Sequence, residues 1–180
     1  MPDVRSAWPS ATPERPAVPR RTMPGVRIDD VLAVLSALER EGVDYAVIGA
    51  MAMAAHGLDR ATRDLDLFVR PSEENVARLR RALRFVFDDA AIDEITAGDL
   101  GGDYPAIRYG PPEVDFTIDL VSRLGDAFTI DDLHIVETHA GSTTIRVASP
   151  ATLYRMKRDT VRGRDRDDAA RLRDAFDIEE

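Results

Sequence analysis

Asp64 and Asp66 are separated by one residue in Asp64-Leu65-Asp66-Leu67-Phe68-Val69. On a β-strand this spacing sends both carboxylates to one face and Leu65, Leu67 and Val69 to the other. Neighbouring carboxylates repel and raise each other's pKa, so the pair is favourable mainly when a cation sits between them. Mg2+ (or Mn2+) suits such a seat, because a hard divalent ion prefers carboxylate oxygen, keeps several waters and bridges to substrate phosphates. The plainer reading of an Asp-x-Asp tripeptide is a polar strand face open to water. A third carboxylate is available in Val114-Asp115-Phe116-Thr117-Ile118-Asp119-Leu120, where Asp115, Thr117 and Asp119 share a face. Three carboxylates can hold two ions about 3.5 to 4 Å apart, one activating an attacking oxygen and the other stabilising a leaving pyrophosphate. Alternation alone leaves Asp115 and Asp119 equal.

Two further features fit phosphate chemistry. Gly49-Ala50 falls at a strand-to-helix turn, where small residues let backbone N–H groups approach a phosphate, although close helix–strand packing explains the pair equally well. Of the 24 basic residues all but Lys157 are arginine. An ammonium is a compact point charge on a flexible stem and a guanidinium a planar fork, so the lone lysine is either a selected charge or a chance of composition.

These residues need elements to position them. Val31, Val34, Leu35 and Leu38 recur at helical spacing after Asp29-Asp30 and before Gly42. A buried strand over Tyr45–Ile48, a short helix over Met51–His56 and a strand over Leu65–Val69 follow. Pro71-Ser72 opens a helix with an apolar stripe of Val76, Leu79, Leu83 and Phe85. The acidic, glycine-interrupted stretch 88–102 has no firm pattern. Ala106–Tyr109 and Val114–Val121 read as one strand pair, and His134–Glu137 with Thr143–Val147 as another. Ser149-Pro150 starts a helix carrying Leu153 and Met156, and a last helix from about Asp165 carries Ala169, Leu172 and Phe176. The expected fold is α/β (α+β): a small mixed sheet flanked by helices, with helices at the C-terminal end.

Composition sets the bounds. A chain of 180 residues with 44% hydrophobic residues suits one domain, which we place at 26–180. Residues 1–25 read as a disordered Pro/Arg-rich tail containing Trp8, since six of the eleven prolines fall there without apolar periodicity. A net charge of −9 argues against a surface devoted to nucleic acid, so any such contact is local. With no cysteine, thiolate metal sites and disulfides are excluded. The longest apolar run, Tyr45 to Ala55, is far short of the roughly 20 residues that span a bilayer, and a cytoplasmic protein without membrane association is expected.

Together these residues resemble the minimal nucleotidyltransferases of the polymerase-β-like superfamily, in particular the group related to AbiEii toxins. The family pattern is a strand ending in Gly and a small residue, then Ala, then His-Gly, then Arg-x-Thr-x-Asp-hydrophobic-Asp. Here it is Ile48-Gly49-Ala50-Met51-Ala52, His56-Gly57 and Arg60-Ala61-Thr62-Arg63-Asp64-Leu65-Asp66. Pro71-Ser72 with Asn75 continues the likeness, and Met156-Lys157-Arg158, Arg162 and Asp165 resemble the C-terminal helix pair. Many relatives carry Gly-Ser where this chain has Gly49-Ala50, which leaves only backbone amides to meet a phosphate there.

The resemblance implies a nucleotidyltransferase-like core in which Asp64 and Asp66 bind metal. Asp119 would be the third ligand, because Asp119-Leu120-Val121-Ser122, Gly125 and Phe128 follow the family segment, with Asp115 as the alternative. Gly49, Ala50, Thr62 and Lys157 would contact the nucleotide, Lys157 as a mobile cation on the triphosphate. The implied reaction is metal-dependent transfer of a nucleoside monophosphate from an NTP to a tRNA or protein acceptor, within a toxin–antitoxin system with a cognate partner. The arginines of the C-terminal helices could line an RNA path, although their interleaved aspartates equally describe a solvated, salt-bridged surface. The alternative is a catalytically silent partner-binding protein that retains the fold.

Overall fold

The computed structural model describes residues 22–23, 26–125 and 128–179. The expected tail with Trp8 lies outside the described residues, apart from Thr22 and Met23. In chain order the strands are β1 (Thr22–Met23), β2 (Val26–Arg27), β3 (Tyr45–Val47), β4 (Asp64–Val69), β5 (Ala106–Tyr109), β6 (Thr117–Val121), β7 (Ile135–Ala140) and β8 (Thr143–Ala148). The helices are α1 (Ile28–Arg40), α2 (Gly49–Ala55), α3 (Glu73–Val86), α4 (Ala97–Gly101), α5 (Pro150–Arg158) and α6 (Gly163–Phe176).

The main sheet has six strands in the order β5-β6-β4-β3-β8-β7. It is mixed: β4/β6 and β3/β8 pair parallel, whereas β3/β4, β5/β6 and β7/β8 pair antiparallel. The α/β class with a small mixed sheet is therefore as expected. Helix α1 packs on α3 and β8, α2 on β4, and α5 on α6. Strand β4 shows why one sheet face is core and the other a site: Leu65 and Leu67 are fully buried, while Asp64 and Asp66 keep partial access to solvent. Val31, Val34, Leu35 and Leu38 of α1 and Val76, Leu79 and Leu83 of α3 join the same core.

Local signals act as read. The Ser72 hydroxyl accepts the Asn75 N–H to cap α3, and the Ser149 hydroxyl accepts the Thr152 N–H ahead of Pro150 to cap α5. Three expectations need correction. Phe85 does not continue the apolar stripe of α3; it is 68% exposed, with the Arg40 guanidinium stacked on its ring. Segment 88–102 is structured: a 3-10 turn at Ala90–Glu94 and helix α4 are capped by Asp89 and Thr96 and anchored by buried Ile92, Ile95 and Leu100. Strand β6 starts at Thr117 rather than Val114, because the chain bends through Val114 and Asp115 after Glu113, whose φ is +65°. Among the described residues no helix is long and apolar enough to cross a membrane.

Candidate active site

The parallel pairing of β4 with β6 puts Asp64 opposite Thr117 and Asp66 opposite Asp119. The antiparallel pairing of β5 with β6 then puts Arg108 opposite Asp119. Asp66, Asp119 and Arg108 thus form one row across three adjacent strands. Asp115 precedes β6 in an exposed bend, so the ladder brings Asp119 rather than Asp115 beside the acidic strand.

Each carboxylate of the row has a different environment. Asp64 takes the Thr117 hydroxyl on Oδ1 at 2.7 Å, and its backbone N–H donates to the Thr62 hydroxyl at 3.0 Å. Thr62 therefore orients the start of the acidic strand. Asp119 receives both Nε and Nη2 of Arg108, at 2.8 and 2.6 Å. Asp66 is pushed up to about 6, first by burial, then by the charges of Asp119 and Asp64, with Lys157 and Arg60 pulling the other way.

Gly49 explains how Asp66 fits. It opens α2 with φ +66°, a conformation that favours glycine, and a Cβ at this position would collide with the Asp66 carboxylate. Ala50 is buried behind it. His56, at the other end of α2, donates from Nε2 to the Ala148 carbonyl at 2.9 Å and meets Phe176 edge-on, which makes it a packing residue between β8 and α6.

Lys157 is seated between two aspartates. It is only 8% exposed, and its Nζ donates to Asp165 Oδ1 and Asp168 Oδ2, both at 2.9 Å. Arg60 donates to the same Asp168 oxygen. Burial alone would raise Asp165, but hydrogen bonds from Lys157 and the Thr160 hydroxyl hold it below the usual carboxylate range.

A cleft of about 740 Å³ joins these groups. Its wall includes Gly49, Asp66, Arg108, Asp119, Lys157 and Asp165, and its apolar side includes Ile48, Leu153, Met156 and Val161. The structure thus gathers Gly49, Asp66, Asp119 and Lys157 around one space, while Asp64, Ala50 and Thr62 support it from outside the wall. Arg108 and Asp168 were not singled out as site residues by sequence pattern, whereas Asp165 belongs to the C-terminal pattern that carries the family resemblance. The alternation of Asp165 with basic residues was visible, whereas a cross-strand partner such as Arg108 depends on register.

Among the described residues no three carboxylate or imidazole groups converge as they would around one ion, since Asp119 faces Arg108 and Asp64 faces Thr117. The donor set nevertheless fits a hard cation. All the donors are carboxylates, the half-buried Asp66 is raised first by desolvation and then by its like-charged neighbours, and a glycine leaves room beside it. A second hollow, of about 410 Å³, lies along α5 and α6 and is lined by Tyr154, Arg158, Arg166 and Arg173. Two of these arginines pair with Asp159 and Asp174, which describes a salt-bridged surface.

A solution structure of the antibiotic-resistance factor ANT(2'')-Ia matches at 15% sequence identity with a TM-score of 0.49, covering 83% of this chain and 84% of that one. No curated protein matches the sequence. The family model described as nucleotidyl transferase AbiEii toxin, type IV TA system, matches residues 33–180, a span that runs from α1 through the acidic row to α6, and the chain belongs to that family of nucleotidyltransferases.

Proposed function

We propose that this protein transfers a nucleoside monophosphate from an NTP to a hydroxyl of tRNA or of a protein, with Asp64, Asp66 and Asp119 holding Mg2+. The observation that carries this reading is the register match of Asp66 with Asp119 on the wall of a cleft that also contains Lys157. The ion, when bound, supplies charge neutralisation and Lewis-acid polarisation at the phosphates. The chain's own residues bind and orient. Gly49 gives the Asp66 carboxylate its position, and Thr62 fixes the backbone from which Asp64 projects. Lys157, paired with Asp165 and Asp168, lines the cleft and supplies positive charge to the phosphates there. Gly49 brings backbone close to the nucleotide, with Ala50 packed behind it, and Met156 and Val161 offer apolar surface to the nucleoside.

In the transfer the acceptor hydroxyl attacks the α-phosphorus, the new P–O bond forms as the bond from that phosphorus to the bridging oxygen breaks, pyrophosphate leaves and the hydroxyl proton passes to solvent. A preorganised arrangement of charge accounts for most of the acceleration in such reactions. The protein acts in the cytoplasm as the toxin half of a pair, with a cognate antitoxin as partner, and residues 26–180 form the single domain that carries the activity.

The test is incubation with each α-labelled NTP, Mg2+ or Mn2+, and either total tRNA or cell lysate, beside an Asp66→Asn control. Metal-dependent label on RNA or on protein, absent from the control, identifies the acceptor. Absence of label and of NTP binding in every mixture would sink the reading in favour of a silent partner-binding protein.

A further inference from the structure

The acidic row already contains a cation of its own. Arg108 spans from edge strand β5 to Asp119 and occupies both carboxylate oxygens through Nε and Nη2. A divalent ion would have to share the same two oxygens with this bidentate fork and sit beside its positive charge, which disfavours both at once. The contest is unequal in mobility: the Arg108 side chain is 66% exposed and that of Asp119 only 21%. The arginine reaches in from the solvent side at the rim of the sheet, so side-chain rotation alone can withdraw it without disturbing the β5/β6 ladder. Arg108 itself lines the cleft, so its side chain is within the space a nucleotide would enter. A guanidinium that leaves a carboxylate is best stabilised by another planar or tetrahedral oxyanion, and phosphate serves well.

We propose that Arg108 competes with the divalent ion for Asp119, so that the free protein holds metal weakly and arrival of metal with nucleotide moves Arg108 from Asp119 onto the nucleotide's phosphates. This deepens the nucleotidyl-transfer reading and rests on it. Arg108 is then a positioning residue in the metal-free state, and it links two ligands. Because the exchange is an equilibrium, nucleotide must strengthen metal binding by the factor with which metal strengthens nucleotide binding.

The experiment titrates Mn2+ into the full chain and reads free Mn2+ by electron paramagnetic resonance, so no turnover is needed. It compares the unaltered protein with Arg108→Gln, Arg108→Lys and Asp119→Asn, with and without α,β-methylene analogues of the four NTPs. Expected is at least tenfold tighter binding of Mn2+ alone by Arg108→Gln, and an intermediate value for Arg108→Lys, which keeps the charge and loses the fork. The analogue should tighten Mn2+ binding more in the unaltered protein than in Arg108→Gln. Circular dichroism melts establish that the variants are folded. If Arg108→Gln binds Mn2+ no more tightly than the unaltered protein, while nucleotide-dependent binding persists in both and is lost in Asp119→Asn, the competition is overturned and nucleotidyl transfer stands. Mn2+ that binds none of the proteins, even with nucleotide, overturns both.

Discussion

Gly49 and Asp66 share a space that admits only one side chain: a Cβ on residue 49 would stand within the Asp66 carboxylate, and the backbone there has φ +66°. Gly49→Ala must therefore displace Asp66 and strain the entry to α2. We expect a folded variant destabilised by about 1–3 kcal/mol. Its nucleotidyl transfer should fall by about 100-fold, because a small misplacement of a catalytic group has that scale of effect. Transfer at the unaltered rate would show that Asp66 need not sit where it does.

Asp66 makes the metal-free protein pH-sensitive in a defined direction. Its folded pKa of about 6 lies above the ordinary value, so the stability it contributes is fully present below about pH 4 and is lost as pH rises through about 6. Asp66→Asn removes the charge. In EDTA at pH 7 the variant should be more stable than the parent by about 1–3 kcal/mol, and near pH 4 the difference should vanish. Chemical denaturation at the two pH values measures this, and a variant less stable at pH 7 would contradict it.

Asp168 is 4% exposed and lies between Lys157 and Arg60. Asp168→Ala leaves two cations competing for less negative charge and should cost about 3–5 kcal/mol in urea denaturation. Lys157→Met leaves Asp168 paired with Arg60 and should cost less, while transfer is lost. Lys157→Arg should not restore transfer, because a planar fork does not fit the niche of a buried ammonium.

Asn75 offers a contrast away from the cleft. Its Oδ1 accepts the Asp44 N–H at 2.7 Å, and its Nδ2 donates to the Asp44 and Arg70 carbonyls at 3.0 and 2.9 Å. Asn75→Ala should lower stability by about 2–3 kcal/mol, since buried backbone groups lose their partners. Transfer per folded molecule should be unchanged; a selective loss of transfer would tie the β3–α3 corner to the site.

The acidic strand was legible because a period of two separates Asp64 and Asp66 from Leu65 and Leu67 without any tertiary information. Asp115 and Asp119 have the same parity, so alternation could not separate them; the bend before Thr117 and the β4/β6 register do. Segment 88–102 was illegible for a different reason. Its elements are one turn long, and capping by Asp89 and Thr96 with three isolated apolar anchors leaves no periodicity to detect. Lys157 was conspicuous as the lone lysine, but its burial depends on aspartates of another helix. Arg108 carried no pattern at all, since its role follows from which residue the neighbouring strand places opposite it.

The ion-pair cluster around Lys157 also bears on biosynthesis. Arg60 and Asp168 are 108 residues apart in sequence, and the acidic row itself joins β4 to β6 across α3 and α4. Contacts of such sequence separation form only after the intervening chain has been made, and a polypeptide emerges N-terminal end first. A nascent chain that has released β3, α2 and β4 still lacks Asp119, and one that has released α5 still lacks the aspartates that seat the lysine. The acidic row and the seat of the lysine are therefore complete only once α6 has been made, so the cleft acquires its full set of charged groups late in the emergence of this domain.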